Sequence, residues 1–166
     1  IDYGSGSELA NDHMALRSFG GIPGLGIGLA ERALARAGYK RRDYYHFPSK
    51  HLDAYWFAPP TEEDGMPSGA PALPRVFVSE LRTDELRDEA SAMLSKDLVP
   101  QQQQQEELMP LRSTVDAIAS ADHLDSYLQQ ANVRRGSVRR ADYDRLHVES
   151  QYAAWTLLHG YRVNHC

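Results

Sequence analysis

Between residues 10 and 82 the spacing of apolar residues changes from two to 3.6 and back to two, and this succession restricts the fold more than any other feature. The stretch Asn11-Asp12-His13-Met14-Ala15-Leu16-Arg17-Ser18-Phe19 reads as a strand. Glycines then surround Pro23 and open a helix, predicted over 22–37, in which Leu25, Leu29, Ala33 and Ala37 recur at helical spacing. Arg36 falls at the negative end of that helix dipole, and Gly38 suits its C-terminal cap. Three strand-like runs follow: Tyr39 to Phe47, His51 to Phe57 and Arg75 to Leu81, the last the most strongly β-like. Thr61 to Pro74 is rich in proline, glycine and acids and is expected as an exposed loop. The order is β-α-β-β-β. The glycines of residues 20–28 invite a phosphate-loop reading, but their spacing is not G-x-G-x-x-G and no Gly-Lys-Ser/Thr follows, so Pro23 at the first helical turn accounts for them.

After residue 82 the character becomes helical. Thr83 is expected to N-cap a helix through Leu86 to Leu94. Gln101 to Gln105 form a polar low-complexity segment, an inserted loop or helix extension and not a site, and residues 111–131 read as a further helix carrying Val115, Ile118, Ala119 and Leu124. Asn132 to Arg140 is a turn-rich connection. A last helix, Asp142 to His159, presents Tyr143, Leu146, Ala153, Ala154, Leu157 and Leu158, and Gly160 ends it. Tyr161 to Cys166 reads as a strand cut short. The expected organisation is therefore a β-α-β-β-β module over 1–82, a helical connection over 83–160, and the first strand of a second module over 161–166. The chain opens on Ile1 and stops as an apolar segment begins, which predicts a fragment, inactive by itself.

Composition narrows the function classes. At 166 residues and 42% hydrophobic, the chain is long enough for one globular domain. A net charge of -5 with scattered arginines argues against a nucleic-acid partner, which usually meets a basic stripe. No run approaches the ~20 apolar residues that span a bilayer, so no membrane partner is expected. The single cysteine, Cys166, excludes an internal disulfide framework and suits a reducing compartment, with plastid and cytoplasm both open.

The chemistry concentrates in the first strand. His13, Ala15 and Arg17 share one face of a strand, leaving Met14, Leu16 and Phe19 for packing. Backbones four residues apart stand about 13 Å apart on a strand, against about 6 Å on a helix. The strand spacing lets an imidazole hold one end of an extended ligand while a guanidinium grips an anionic group at the other. Of the seven histidines, His46, His51, His123, His147 and His159 fit turns, helix surfaces or a helix C-terminus. His165 differs, because Val163-Asn164-His165 repeats the setting of Asn11-Asp12-His13. That echo suggests an internal duplication with one imidazole from the first strand of each copy. Two imidazoles and one carboxylate make the facial triad that leaves positions open on Fe(II) for a chelating substrate and dioxygen. Glu80 is a candidate carboxylate, though a partner for a nearby base is its more ordinary role.

The segments Asn11-Asp12-His13-x-x-x-Arg17-Ser18-Phe19, Tyr45-His46-Phe47-Pro48, His51 to Pro59, Pro74 to Leu81 and Tyr152 to His165 resemble the 2-oxoadipate dioxygenase/decarboxylase family, which includes bacterial 2-hydroxyglutarate synthases and plant plastid homologues. The resemblance covers nearly the whole chain except the Gln-rich stretch and the loop around Met66. It implies an α+β, vicinal oxygen chelate-like fold whose repeated unit is β-α-β-β-β. It implies His13 and His165 as iron ligands, with a third, a glutamate, beyond Cys166, and Arg17 as the residue binding a substrate carboxylate. The implied reaction takes 2-oxoadipate and O2 to 2-hydroxyglutarate and CO2 on Fe(II), a step in lysine breakdown. Two rivals stand beside it. One is a non-catalytic chelate-fold binding or regulatory protein, for instance in plastid starch metabolism; the other is extradiol cleavage on the same ligand set.

Overall fold

The computed structural model describes residues 12–21, 26–70, 72–98, 138–159 and 163–165. The first module is present in the expected order: β1 His13–Phe19, α1 Ile27–Arg36, β2 Lys40–Phe47, β3 Leu52–Ala58 and β4 Arg75–Leu81. Beyond it come α2 Asp88–Leu98, α3 Arg140–Glu149, α4 Gln151–His159 and a short β5 Val163–His165. The sheet runs β2-β3-β4-β1-β5. Among the described strands only β1 and β4 are parallel, with His13 opposite Arg75 and Phe19 opposite Leu81; the other pairs are antiparallel. The expected lead-in, the Gln-rich loop, the helix over 111–131 with His123, and Cys166 lie outside the described residues.

Alternation along the strands divides the sheet into two faces. On one, Leu16, Val76, Val78 and Phe57 pack against Leu29, Ala30, Ala33 and Leu34 of α1, with Met14 and Tyr55 at the margin. A helix of 10 residues is too short to persist in water by itself, so this burial holds α1 in place. Losing fully buried Leu34 to alanine would cost about 2–5 kcal/mol, several times what Arg36 contributes near the helix C-terminus. The far end of α1 follows the glycine expectation. Gly38, at φ 86°, donates to Ala35 O at 3.0 Å and Tyr39 N–H to Leu34 O at 2.9 Å, a Schellman closure. Tyr39 is buried beneath, its hydroxyl on Pro74 O at 3.1 Å and its pKa pushed up to about 12 by that burial.

On the other face Phe19, Leu52 and Leu81 pack against Leu86, Ala90, Leu94, Leu146, Ala153, Ala154 and Leu157. Phe19 therefore joins a core different from that of Met14 and Leu16. The α2–α4 layer lies over this end of the sheet, away from the end bearing His13.

Several local expectations are corrected by tertiary contacts. Thr83 opens a short 3-10 turn, Thr83–Glu85, and the helix starts at Asp88. The Thr83 hydroxyl donates to Gly20 O at 2.8 Å instead of capping, because the carbonyl at the end of β1 meets it first. The single helix expected over 142–159 is two, broken at extended Ser150 (φ -148°, ψ 104°). Ser150 Oγ accepts the Ala153 N–H at 3.1 Å and so caps α4. Among the described residues Glu80 meets no base and does not share the His13 face: its Oε2 accepts the Ile27 N–H at 2.6 Å, on the opposite side of the sheet. It supplies the N-terminal capping that Gly26 cannot, and a Cβ at Gly26 would collide with Glu80 Oε2. The helix N-terminus that invited a phosphate is thus filled by the protein's own carboxylate.

At the β3–β4 end, Arg82 donates to both oxygens of Glu85 (2.7 and 2.9 Å) and to Asp53 at 2.8 Å, while His51 Nδ1 meets Glu85 at 2.9 Å. Hydrogen bonds from Arg82 and His51 hold the Glu85 carboxyl at about 2. Its folded pKa lies below the ordinary 4.5, so its contribution is complete above that value and is lost as pH falls towards 2. A thermal melt series across that range is expected to show the acid limb shallower in Glu85→Gln than in the parent. Glu80→Ala is expected to leave the first N–H of α1 without its anion and to lower stability by about 1–2 kcal/mol in urea unfolding. An unchanged midpoint would remove Glu80 from that role.

Candidate functional site

The β1 alternation places His13, Ala15 and Arg17 on the face away from α1, beside Arg75, Phe77 and Ser79 of β4. Two cavities lined by described residues open on this face. One, of 620 Å³, is bounded by Asp12, His13, Asp43, Tyr45, Trp56, Arg75 and Phe77. The other, of 510 Å³, includes Ala15, Arg17, Lys50, His51, Ser79, Tyr152 and Trp155 and also reaches Phe77. Phe77 thus forms part of both walls, and His13 and Arg17 face neighbouring cavities four residues apart on one strand.

Around His13, Asp12 Oδ2 lies 3.2 Å from Nδ1. The second oxygen of Asp12 accepts from Arg75 Nη1 at 3.4 Å. The Arg75 guanidinium stands 5.9 Å from the Trp56 ring centroid, and Trp56 Nε1 donates to Asp43 Oδ2 at 2.9 Å. The His13 side chain remains 43% exposed. A metal-bound imidazole ordinarily gives its second ring nitrogen to a carboxylate or carbonyl, and Asp12 occupies that position. β5 runs antiparallel beside β1, with His165 opposite Ala15. The two histidine positions singled out by their repeated setting are therefore on neighbouring, paired strands. Among the described residues, no group of three His, Cys, Asp or Glu is arranged to hold a metal.

Arg17 has a different environment. Its guanidinium carbon is 4.7 Å from the Tyr152 ring centroid and 4.3 Å from that of Trp155, both on α4. Burial lowers the Arg17 pKa, partly offset by Tyr152, yet a guanidinium remains a cation at any physiological pH. Among the described residues Arg17 forms no ion pair, whereas Arg41, Arg75, Arg82, Arg87, Arg139, Arg140 and Arg145 each have a carboxylate. A partly desolvated cation held by aromatic faces and with no carboxylate partner among the described residues is suited to an anion from outside.

Tyr152 joins this cation to the sheet. Its hydroxyl lies 2.9 Å from Ser79 O, 3.0 Å from Ser79 Oγ and accepts the Ser18 N–H at 3.1 Å. Ser18 Oγ donates to Ser79 O at 2.9 Å and Ser79 Oγ to Leu16 O at 3.2 Å across the same seam. Burial raises the Tyr152 pKa, against the opposing pull of Ser79, Ser18 and Arg17, so the ring stays a neutral phenol. Tyr152, Trp155 and Ser79 were not singled out from sequence. Tyr152 and Trp155 lie at i, i+3, so one helix face was legible, but which residue that face would meet was not. The remaining described histidines have local partners: His46 meets Asp53 at 2.7 Å, His147 stacks on Tyr143 and His159 packs at a tilt against Trp155. His51 takes a left-handed φ of 55°, with its N–H on Pro48 O at 3.1 Å.

Comparison with known proteins identifies the family. The family model described as 2-oxoadipate dioxygenase/decarboxylase matches residues 3–166. A rice protein named 2-oxoadipate dioxygenase/decarboxylase, chloroplastic/amyloplastic, is 33% identical over 161 residues, covering 96% of this chain and 40% of the rice protein. The chain thus spans about two-fifths of that relative. A crystal structure of rice hydroxyglutarate synthase in complex with 2-oxoadipate superimposes with a TM-score of 0.67 at 32% identity, over 93% of this chain and 44% of that one. A Ralstonia eutropha protein described as a candidate member of the glyoxalase superfamily aligns with a TM-score of 0.61 at 24% identity, over 93% and 50% of the two chains, which supports the α+β chelate-like fold alone. From the strand that opens the module to the histidine of β5, this chain belongs to the 2-oxoadipate dioxygenase/decarboxylase family.

Proposed function

We propose that this chain contributes part of the active site of an Fe(II)-dependent enzyme that converts 2-oxoadipate and O2 to 2-hydroxyglutarate and CO2 in lysine breakdown. The observation that carries the reading is Arg17, a half-buried cation on the same strand face as His13 and without an ion pair among the described residues. Membership of the family and the rice relative's complex with 2-oxoadipate support the choice of substrate.

His13 and His165 would each offer an imidazole nitrogen to Fe(II), and a carboxylate from elsewhere in the protein would complete the set. The donor chemistry fits. Imidazoles suit Fe(II), the two positions lie on paired strands, and Asp12 is placed to orient His13. When bound, the iron supplies activation of O2 and the oxidative decarboxylation of a chelated 2-oxo acid. The balance closes with CO2 leaving and both oxygen atoms of O2 in the diacid product.

The protein's own part is position and charge. Arg17 accepts the carboxylate remote from the 2-oxo group, and its fork fixes that end in two hydrogen bonds. The backbone distance from Arg17 to His13, about 13 Å for four strand steps, accommodates an extended six-carbon diacid with the two side chains. Phe77 and Ala15 provide an apolar floor between the ends, and Trp155 and Tyr152 exclude water from the anchored carboxylate. Anchoring one end presents a defined carbon to the oxidant and lowers the entropy to be lost during reaction.

Two outcomes test this in the full-length protein. His13→Ala is expected to bind less than a tenth of the parental iron by metal analysis, on the order of a ligand's contribution, and to consume no O2 with 2-oxoadipate. O2 consumption at the parental rate would refute the ligand assignment. Arg17→Lys keeps the charge and loses the fork, so KM for 2-oxoadipate should rise about tenfold or more with iron content unchanged. Equal KM values would exclude the carboxylate anchor.

A further inference from the structure

We infer that Trp155, with Tyr152 beside it, is a positioning residue for the substrate-anchoring cation, setting the direction in which Arg17 offers its N–H groups. This rests on the reading of Arg17 as the carboxylate anchor.

An arginine side chain is long and loses much rotamer freedom when fixed, so a free guanidinium would meet a carboxylate in many geometries. Protein carboxylates usually remove that freedom, but a carboxylate on Arg17 would compete with the substrate for the same fork. Aromatic faces restrain the cation without occupying an in-plane acceptor site. The Trp155 and Tyr152 rings, 4.3 and 4.7 Å from the guanidinium carbon, meet that requirement. The rings are themselves held. Tyr152 is pinned by its hydroxyl to Ser18 and Ser79 at the β1–β4 seam. Trp155 packs beside His159, one turn further along α4, with ring centroids 4.7 Å apart. Helix α4 starts at the Ser150 cap, so the break between α3 and α4 sets where both rings stand along β1.

This role predicts a loss specific to the remote carboxylate. In the iron-loaded, full-length protein without O2, calorimetry should show Trp155→Leu binding 2-oxoadipate about tenfold more weakly. Trp155→Phe, which keeps a ring face, should stay within about threefold of the parent. Binding of 2-oxohexanoate, which lacks the remote carboxylate, should be unchanged in both variants. Parental affinity for 2-oxoadipate in Trp155→Leu would overturn the inference, and so would equal weakening of both ligands, the mark of a merely structural role. A second readout leaves residue 155 intact. With fluorotryptophan incorporated, the Trp155 fluorine resonance, assigned from its absence in Trp155→Phe, should shift with 2-oxoadipate and not with 2-oxohexanoate. No shift would refute the contact even if Trp155→Leu failed to fold. Arg17→Met separates the two readings. If it leaves 2-oxoadipate affinity intact, the anchor itself is wrong; if it abolishes the preference over 2-oxohexanoate while Trp155→Leu does not, only the positioning role fails.

Discussion

The parallel pairing of β1 with β4 is the constraint on which the rest depends. It brings residues some 60 positions apart into register, His13 beside Arg75 and Phe19 beside Leu81, and sets both strands in the interior of the sheet. Parallel neighbours need a long crossover, which α1, β2 and β3 together provide. Once the pair forms, alternation leaves no choice of face. Leu16, Val76 and Val78 must go under α1, and a slip of one residue would exchange them for Arg17, Phe77 and Ser79. Burying a guanidinium against α1 in place of Leu16 would be strongly unfavourable, so the α1 core enforces the orientation of the site.

The Arg17 end of the seam is tied with polar groups that would otherwise be costly to bury. Ser18 and Ser79 are buried hydroxyls that bond backbone carbonyls across the seam, and the Tyr152 hydroxyl meets both residues from α4. The helical layer is thus connected to the sheet at the place where Arg17 emerges. Packing of Phe19, Leu52 and Leu81 beneath that layer supplies the stabilisation, while Tyr152 supplies the specific alignment. Apolar packing is non-directional, and hydrogen bonds to two strands are not.

Arginine usage shows how charge is sorted. Arg82 is half of a dense network with Asp53 and Glu85, and Arg75 shares Asp12 with His13. Arg17 alone among these is surrounded by rings. The sequence contains nothing that distinguishes Arg17 from the others except its distance from His13. Its special status comes from α4, which is more than 130 residues away along the chain.

The sequence by itself determined the β-α-β-β-β order, the Gly38 closure and the shared face of His13 and Arg17. Each follows from local geometry: a period of two or 3.6, or a backbone conformation that glycine adopts without strain. That Val163-Asn164-His165 forms a strand was also legible; that this strand pairs with β1 was not. Tertiary structure decided what local rules leave open. Thr83 has the identity of a helix cap but bonds Gly20 O; Glu80 looks like a site carboxylate but caps α1; Ser150 interrupts a continuous helical pattern. Tyr152 and Trp155 have the spacing of a helix face and no local sign of the cation they hold. In each case a polar or aromatic group had several partners of similar energy within reach of the unfolded chain, and only the packed sheet brought one of them within hydrogen-bonding or stacking distance.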